Sequence, residues 1–502
     1  MHAGEKWTVH RSDVMLLLLL FVVAWLLRLS YILPTSFDGL YGQDAFAYYD
    51  FAHQLRAALH QGQPLGNFFW PLGYPVLLAL GFTFLGDHAT AGQGINLVLG
   101  ATLAPLLFVL ARQHNLSRFG AFTAGLLMLV CGQAVQSSLV LMSDIPALTW
   151  AVISTIALTH YLNQPSPPHP TVDKYLLIAA VTLMLALITR WIYVLLVIPS
   201  FLMFLVHTRG RIRWRTQVGV AAAITAILLP QILYSRTNPA PTLNHPWVEN
   251  WSPVNIARQS FTNVEGYFEF TQINAVFYAR PFYDPYYLSP LFTLFLFPGL
   301  IGLIRGNLQS GSLIAAWLVL CYLFLAGIPA QNIRFALVFF PPAALAAAAG
   351  IDYFVQRFKG HQRHILIRMI LLIIIIAGVT QTLMATNTTI QGFINQQQKD
   401  RRAVRWADSV VPVGETIYTF GLTLMLRHDT DLTVYELYDE TPESLVAKWQ
   451  SGRIDYLLVN VWNIEHQWSD RSPQIAYHWL RDERGLIRLG QYGNYTLYRI
   501  RG

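Results

Sequence analysis

The sequence predicts a polytopic α-helical membrane protein with a small C-terminal α/β domain. Three observations carry this. The 502-residue chain is 54% hydrophobic and only 12% charged, about half the charged fraction of an ordinary soluble domain. Apolar runs long enough to cross a hydrocarbon core recur through the first 385 positions. From residue 386 onward the pattern changes to short, strand-length apolar segments between polar turns. The net charge of +7 does not call for nucleic acid, because basic residues in such a protein anchor cytoplasmic loops. Cys131 and Cys321 both lie in apolar runs; neither a disulfide framework nor zinc-ligand spacing is present.

The first run, "DVMLLLLLFVVAWLLRLSYIL", is long for a signal-peptide core and is followed by no small-x-small cleavage site, so it reads as an uncleaved span over 14–34. Arg28, near its outer end, reads as a snorkelling residue. Further spans are predicted over 91–111, 119–141, 144–163, 175–189, 191–207, 217–235, 286–304, 311–328, 333–352 and 366–385, making about eleven. The pair 175–189 and 191–207 meets at "LITRWIY" and reads as a broken or tilted pair turning at Arg190.

The run 69–86 is crowded at its start by Pro71, Gly73 and Pro75 and is assigned to the interface. Charge supports that choice. It puts fourteen basic residues on one side: Lys6, Arg11, Arg112, Arg118, Lys174, Arg209, Arg211, Arg213, Arg215, Arg305, Arg357, Lys359, Arg363 and Arg368. By the positive-inside rule that side is cytoplasmic. The loops 35–90 and 236–285 and the tail 386–502 then lie outside, the tail as an extracytoplasmic domain distinct from the membrane domain 1–385. Within the tail, "GETIYTFG", "LTVYEL", "RIDYLLVNVW" and "QYGNYTLYRI" read as strands, and "TPESLVAKWQSG" as a helix capped by Thr441 and stopped by Gly452. "NQPSPPHPTVD" reads as a stiff cytoplasmic linker.

The predicted outer ends of the spans collect the unusual polar residues. Asp44 opens a loop helix in "LYGQDAFAYYDFAHQL", and Tyr48, four residues on, shares its face. Asp144, in "LMSDIPALTW", begins a span and is equally well read as its N-cap. Arg190, Arg280, Tyr283 and Arg334 complete the set. Arginine forks bind phosphate oxygens, aromatic rings sit at the headgroup level and stack on sugars, and a carboxylate deprotonates an acceptor or holds a divalent cation. Each has an ordinary alternative: solvation or capping for the acids, snorkelling to headgroups for the arginines. His53, Glu265 and Glu269 read as solvated or interfacial groups.

The order of these parts resembles the GT-C superfamily of membrane glycosyltransferases, near the aminoarabinose-transferase and protein-mannosyltransferase branch. The resemblance rests on "QDAFAYYDFA", "WPLGYPVLLAL", "ARQHNLSRFG", "SDIPAL", "LITRWIYVLLVIP", "PFYDPYYLSPLF" and "IRFALVFFPPAALAAAAG", in that order over roughly 10–385. It implies a polyprenyl-phosphate-linked sugar donor, a lipid, glycan or protein acceptor, and a hexosyl or pentosyl transfer at the outer face of the plasma membrane. It implies Asp44 as the catalytic carboxylate, with Asp144 as a second active-site acid. It implies Arg190, Arg280 and Arg334 at the donor phosphate, and Tyr48 and Tyr283 are placed with the substrate. Relatives often carry an Asp-Glu pair where this chain has Asp44 flanked by Gln43 and Ala45, so no cofactor is assigned and a divalent metal ion, which Asp144 could hold, stays open. The rival function is a lipid or lipid-linked-sugar flippase, against which stands the absence of an internal repeat.

Overall fold

The computed structural model describes residues 10–164, 173–208, 213–238, 246–263, 265–358, 364–438, 440–450 and 455–501. Lys6, Arg209, Arg211, Lys359, Arg363, Gly452 and most of the proline-rich linker lie outside them.

The apolar runs fold as helices. In order, α1 is Arg11–Ile32, α2 Gly42–Gln61, α3 Gly73–Leu85, α4 Ala89–Gln113, α5 Arg118–Val130, α6 Gly132–Leu139, α7 Asp144–Leu162, α8 Asp173–Thr189, α9 Val194–Thr208 and α10 Trp214–Thr237. A one-turn α11 (Pro246–Glu249), the hairpin β1 (Ser260–Asn263) and β2 (Gly266–Glu269), and a short α12 (Asn274–Ala279) follow. Then come α13 Pro290–Gly306, α14 Leu308–Gly327, α15 Phe340–Arg357 and α16 His364–Val410.

Among the described residues, eight helical segments are long and apolar enough to cross a membrane, or nine if α5 and α6, bent by 52° at their junction, count as one. The expectation of about eleven differs because α8 and α13 are only 17 residues long, at the short end of what spans a hydrocarbon core. The run expected in the interface becomes α3, whose 13 residues are too few to cross.

Packing is tightest where side chains are smallest. The alanine run of α15 is buried throughout, and a Cβ on Gly299 of α13 would fall onto the Ala346 carbonyl, as one on Gly350 would onto that of Phe295. Small residues let two backbones meet, which is how helices gain dispersion energy without a hydrophobic drive between them. Arg28 does not snorkel. Its side chain is buried, with Nε donating to Ser138 Oγ at 3.0 Å and an Nη to Ala24 O at 2.9 Å. The helices around it leave no path to the headgroups, so the guanidinium is satisfied from within. At the opposite end of the bundle Arg118 pairs with Asp13 at 2.8 Å.

The last helix outruns its apolar stretch. α16 is continuous for 47 residues, so residue 386, the expected start of the tail, lies inside it. Beyond it come β3 (Thr416–Thr419), α17 (Thr423–Asp429), β4 (Thr433–Glu436), α18 (Pro442–Gln450), β5 (Tyr456–Val459), α19 (Val461–His466), α20 (Ser472–Trp479), β6 (Leu486–Tyr492) and β7 (Tyr495–Ile500). Their sheet has the order β4-β3-β5-β7-β6, with β3, β4 and β5 mutually parallel and β7 antiparallel to β5 and β6. All four expected strands and the expected helix are present, Thr441 Oγ1 capping α18 through the Ser444 amide at 3.2 Å.

Candidate active site

The loop between α1 and α2 delivers Asp44. It turns at Gly39, whose φ of +87° and contact with Leu141 admit no side chain. Carboxamides of α4 hold it: Gln93 Nε2 donates to the carbonyls of Phe37 and Leu139, both at 2.9 Å, and Asn96 Nδ2 to those of Val140 and Met142 at 2.6 and 3.0 Å. The loop thus lies against the segment that leads into α7. Asp44 falls in the first turn of α2, where a carboxylate also meets the positive end of the helix dipole.

Arg334 comes from the turn Ile333–Phe339 that precedes α15. Asn332 caps that turn, its Oδ1 accepting from the Arg334 amide at 3.1 Å, and Tyr278 and Tyr287 pin it, the Tyr287 hydroxyl donating to the Ile333 carbonyl at 2.5 Å. Arg190 caps the broken junction of α8 and α9 in extended conformation.

These side chains form one network. Arg334 donates to Asp44 at 3.2 Å and to the Met142 sulfur at 2.8 Å, and its Nε lies 3.9 Å from Asp144. Arg190 pairs with the other oxygen of Asp144 at 3.0 Å. Both guanidinium groups sit over the Phe335 ring, at 5.2 and 5.4 Å, a favourable cation–π arrangement. Two acids face two arginines, so formal charge cancels. The two acids differ in surroundings: the Asp44 side chain is 32% exposed and that of Asp144 5%.

Asp44 and Arg334 open onto a cavity of about 900 Å³, which Arg280 also lines. That volume is at the upper end of small-molecule sites. Its far wall is Met384, Thr388 and Phe393 of α16.

A family model for dolichyl-phosphate-mannose-protein mannosyltransferase matches residues 82–239. ArnT from Cupriavidus metallidurans, solved bound to undecaprenyl phosphate, superposes with a TM-score of 0.65 over 98% of each chain at 12% identity. The oligosaccharyltransferase AglB from Archaeoglobus fulgidus, in complex with an inhibitory peptide and a dolichol-phosphate, superposes with a TM-score of 0.58 at 11% identity, over 92% of this chain and 70% of that one. No curated protein sequence matches the chain. The fold is GT-C.

In this GT-C fold the expected site residues divide into three groups. Asp44, Arg280 and Arg334 line the cavity. Asp144, Arg190 and Tyr48 stand behind it; Tyr48 is buried among Phe68, Trp70 and Tyr74 and shares a 3.1 Å hydrogen bond with Ser143. Tyr283 is off the cavity, its hydroxyl donating to the Val276 carbonyl at 3.4 Å. Arg280 is itself paired with Asp284, Nε to Oδ2 at 2.9 Å. His53 lies elsewhere, joined to Asp87 at 2.9 Å beside Arg56.

Gln133, Gln136 and Ser137 line the cavity and were not anticipated. They project from α6, where the Tyr286 hydroxyl donates to Gln136 Oε1 and the Tyr286 carbonyl accepts from the Gly132 amide at 2.8 Å. The available signal was three polar residues at helical spacing inside an apparently unbroken apolar run. Glu265, at the tip of the β1–β2 hairpin, lies within reach of both charges: partial loss of hydration and the charge of Asp44 raise its pKa, and Arg334 opposes the rise. Among the described residues no group of three or more His, Cys, Asp or Glu side chains comes together as metal ligands. With Asp44 and Asp144 each already facing arginine, these residues do not fit a divalent-cation site.

Proposed function

We propose that the chain is a glycosyltransferase that moves a sugar from a polyprenyl-phosphate donor to an acceptor at the outer face of the membrane. The observation that carries this is the sharing of one cavity by Asp44, Arg280 and Arg334: a carboxylate able to take a proton beside two guanidinium groups able to bind phosphate. Polyprenyl phosphates bound to ArnT and AglB, two proteins of like fold, support the donor class. The basic-residue asymmetry supports the outer face, with the C-terminal α/β unit on that side too.

The step assigned to these residues is a single displacement. Asp44 accepts a proton from the acceptor hydroxyl or amine as that nucleophile attacks the anomeric carbon. The bond from that carbon to the phosphate oxygen breaks on the opposite side, so configuration inverts, and the departing polyprenyl phosphate keeps the bonding pair. Arg334 and Arg280 stabilise its growing negative charge with fixed N–H donors. Asp144 and Arg190 are positioning residues: Asp144 orients Arg334 from behind and Arg190 balances Asp144. Tyr48 braces the same wall through Ser143.

The test is release of sugar from polyprenyl-phosphate sugars by the purified protein in detergent, with donor binding measured separately. Wild type is expected to transfer, or slowly hydrolyse, at least one donor, and Asp44→Asn to lose turnover by about 10²–10⁴-fold while still binding it. Movement of an intact donor between leaflets with no sugar released would replace this function with a flippase.

A further inference from the structure

The C-terminal sheet carries a second cavity, of about 390 Å³, remote in sequence from the first. It lies where β5 ends. The chain leaves Val459, enters Asn460 and turns into α19, while Thr496 of β7 pairs with Val459 from the other side. β5 has a parallel neighbour in β3 and an antiparallel one in β7.

The lining has a definite chemistry. Gln491 and Asn494 bring carboxamides and Arg488 a guanidinium, beside the indole of Trp462; Asn460, whose Oδ1 caps α19 at the Asn463 amide, and Tyr498, whose phenol is hydrogen-bonded to Tyr477, complete the lining. Carboxamides both donate and accept, which matches the paired hydroxyls of a sugar. Trp462 is 68% exposed although it is the largest kind of apolar side chain. One face of its ring is stacked on His466, with centroids 4.7 Å apart and planes at 19°, and this holds the indole as a platform. The polar wall is also ordered before any ligand arrives: Arg488 donates to Gln491 Oε1 at 2.5 Å, and Gln491 Nε2 to the Gly493 carbonyl at 3.0 Å. A flat aromatic face beside fixed amides suits the alternating C–H and O–H surface of a pyranose. A lipid tail would find few apolar partners here, and Arg488 alone is too little charge for a polyanion.

The helix beside the pocket also holds the β1–β2 hairpin. Gln467, the residue after α19, accepts from the Tyr267 amide at 2.9 Å and donates from Nε2 to the Glu265 carbonyl at 2.9 Å. A Cβ on Gly266 would strike the Gln467 carbonyl, so the hairpin seats on α19 by backbone contact. The tip of that hairpin is Glu265, within electrostatic reach of Asp44 and Arg334. One short helix therefore borders the pocket at Trp462 and anchors the hairpin at Gln467.

We infer that this pocket binds a saccharide and is a docking subsite for the glycan part of the acceptor. The acceptor class is thus a glycan or glycan-bearing molecule, an assignment that rests on the glycosyltransferase function proposed above. The acceptor would be held at the tail while its nucleophile reaches past the hairpin to Asp44.

Two measurements on the full-length detergent-solubilised chain separate the claims. Calorimetric titration with chitotriose, maltotriose, xylotriose and galactobiose needs no turnover. At least one is expected to bind saturably at millimolar concentration or below, about tenfold more weakly to Trp462→Ala and to Arg488→Ala, with Trp462→Phe recovering most of the loss. Donor hydrolysis without acceptor is expected to be unchanged in all three variants, which also shows that they fold. Transfer to an oligosaccharide acceptor should show a raised KM and a retained kcat. No saturable binding to wild type, equal binding to Trp462→Ala, or competition by a hydrophilic peptide but by none of the sugars overturns the saccharide subsite. Saccharide binding by a wild type that neither transfers nor hydrolyses any donor leaves the pocket standing and removes the catalytic function instead.

Discussion

Arg334 donates to Asp44 at 3.2 Å across 290 residues of sequence. The contact joins the first outer loop helix to the turn before α15, and it puts base and cation side by side at one cavity. Replacing Arg334 by Lys keeps the charge and loses the fork that spans Asp44, Met142 and the cavity. The expected result is a donor affinity lower by roughly 10–100-fold, the worth of about 1.5–3 kcal/mol for a hydrogen bond to a charged group. Donor titration checks it, and unchanged affinity would remove Arg334 from the phosphate site.

Asp144 sits between two guanidinium groups and is almost fully buried. Asp144→Ala leaves Arg190 without its carboxylate and should cost about 3–5 kcal/mol, because an uncompensated charge remains in a low-dielectric site. The double variant Asp144→Leu with Arg190→Met should recover much of that stability. Thermal unfolding in detergent reads both; additive losses would mean that the two residues do not act as a pair.

The α13–α15 contact has no room for a side chain at Gly299. Gly299→Leu should destabilise by about 3 kcal/mol or prevent folding, at the upper end of overpacking effects. Gly302 of the same helix has nothing within 4 Å of an added Cβ, so Gly302→Ala should be neutral or stabilising by up to about 1 kcal/mol. Similar effects of both substitutions would show that close approach at Gly299 does not govern the interface.

Arg401 of α16 holds the Asp44 loop from the tail side, pairing with Asp38 at 2.6 Å and approaching Asp429 at 3.8 Å. Arg401→Ala should loosen that loop, making 35–41 more susceptible to limited proteolysis and lowering donor hydrolysis several-fold; Arg401→Lys should restore part of both. Unchanged proteolysis would show that the α4 carboxamides suffice.

Glu265 supplies a pH dependence. Burial, then the charge of Asp44, raises its pKa, so the unfolded chain releases this proton first as pH rises. Stability is therefore lost between the ordinary carboxylate range and the raised native value, and is level above it. Glu265→Gln should remove that loss, flattening the melting temperature against pH in this window. Parallel profiles for the two proteins would place the titration elsewhere.

Much of the site was legible because it depends on local rules. The four-residue step puts Asp44 and Tyr48 on adjoining turns of α2, although only Asp44 lines the cavity, and the break at Arg190 follows from two apolar runs with a polar junction. What escaped depended on tertiary contact. The polar residues of α6 were hidden because hydropathy averages Gln133, Gln136 and Ser137 into their neighbours. The continuation of α16 is invisible to hydropathy, because the apolar stretch ends where the helix does not: "NQQQKDRRAVRWAD" is rich in good helix formers. The burial of Arg28 and the withdrawal of Tyr48, Asp144 and Arg190 behind the cavity wall depend on which helices pack beside them.

The length of α16 has a mechanical consequence. Its 47 residues make a rod of about 70 Å, at 1.5 Å per residue, more than twice the thickness of a hydrocarbon core. Met384, Thr388 and Phe393 of the cavity wall and Arg401 near the tail belong to that one rod. The wall of the cleft and the root of the C-terminal sheet are therefore successive turns of one hydrogen-bonded element, with no loop between them to take up a displacement of either.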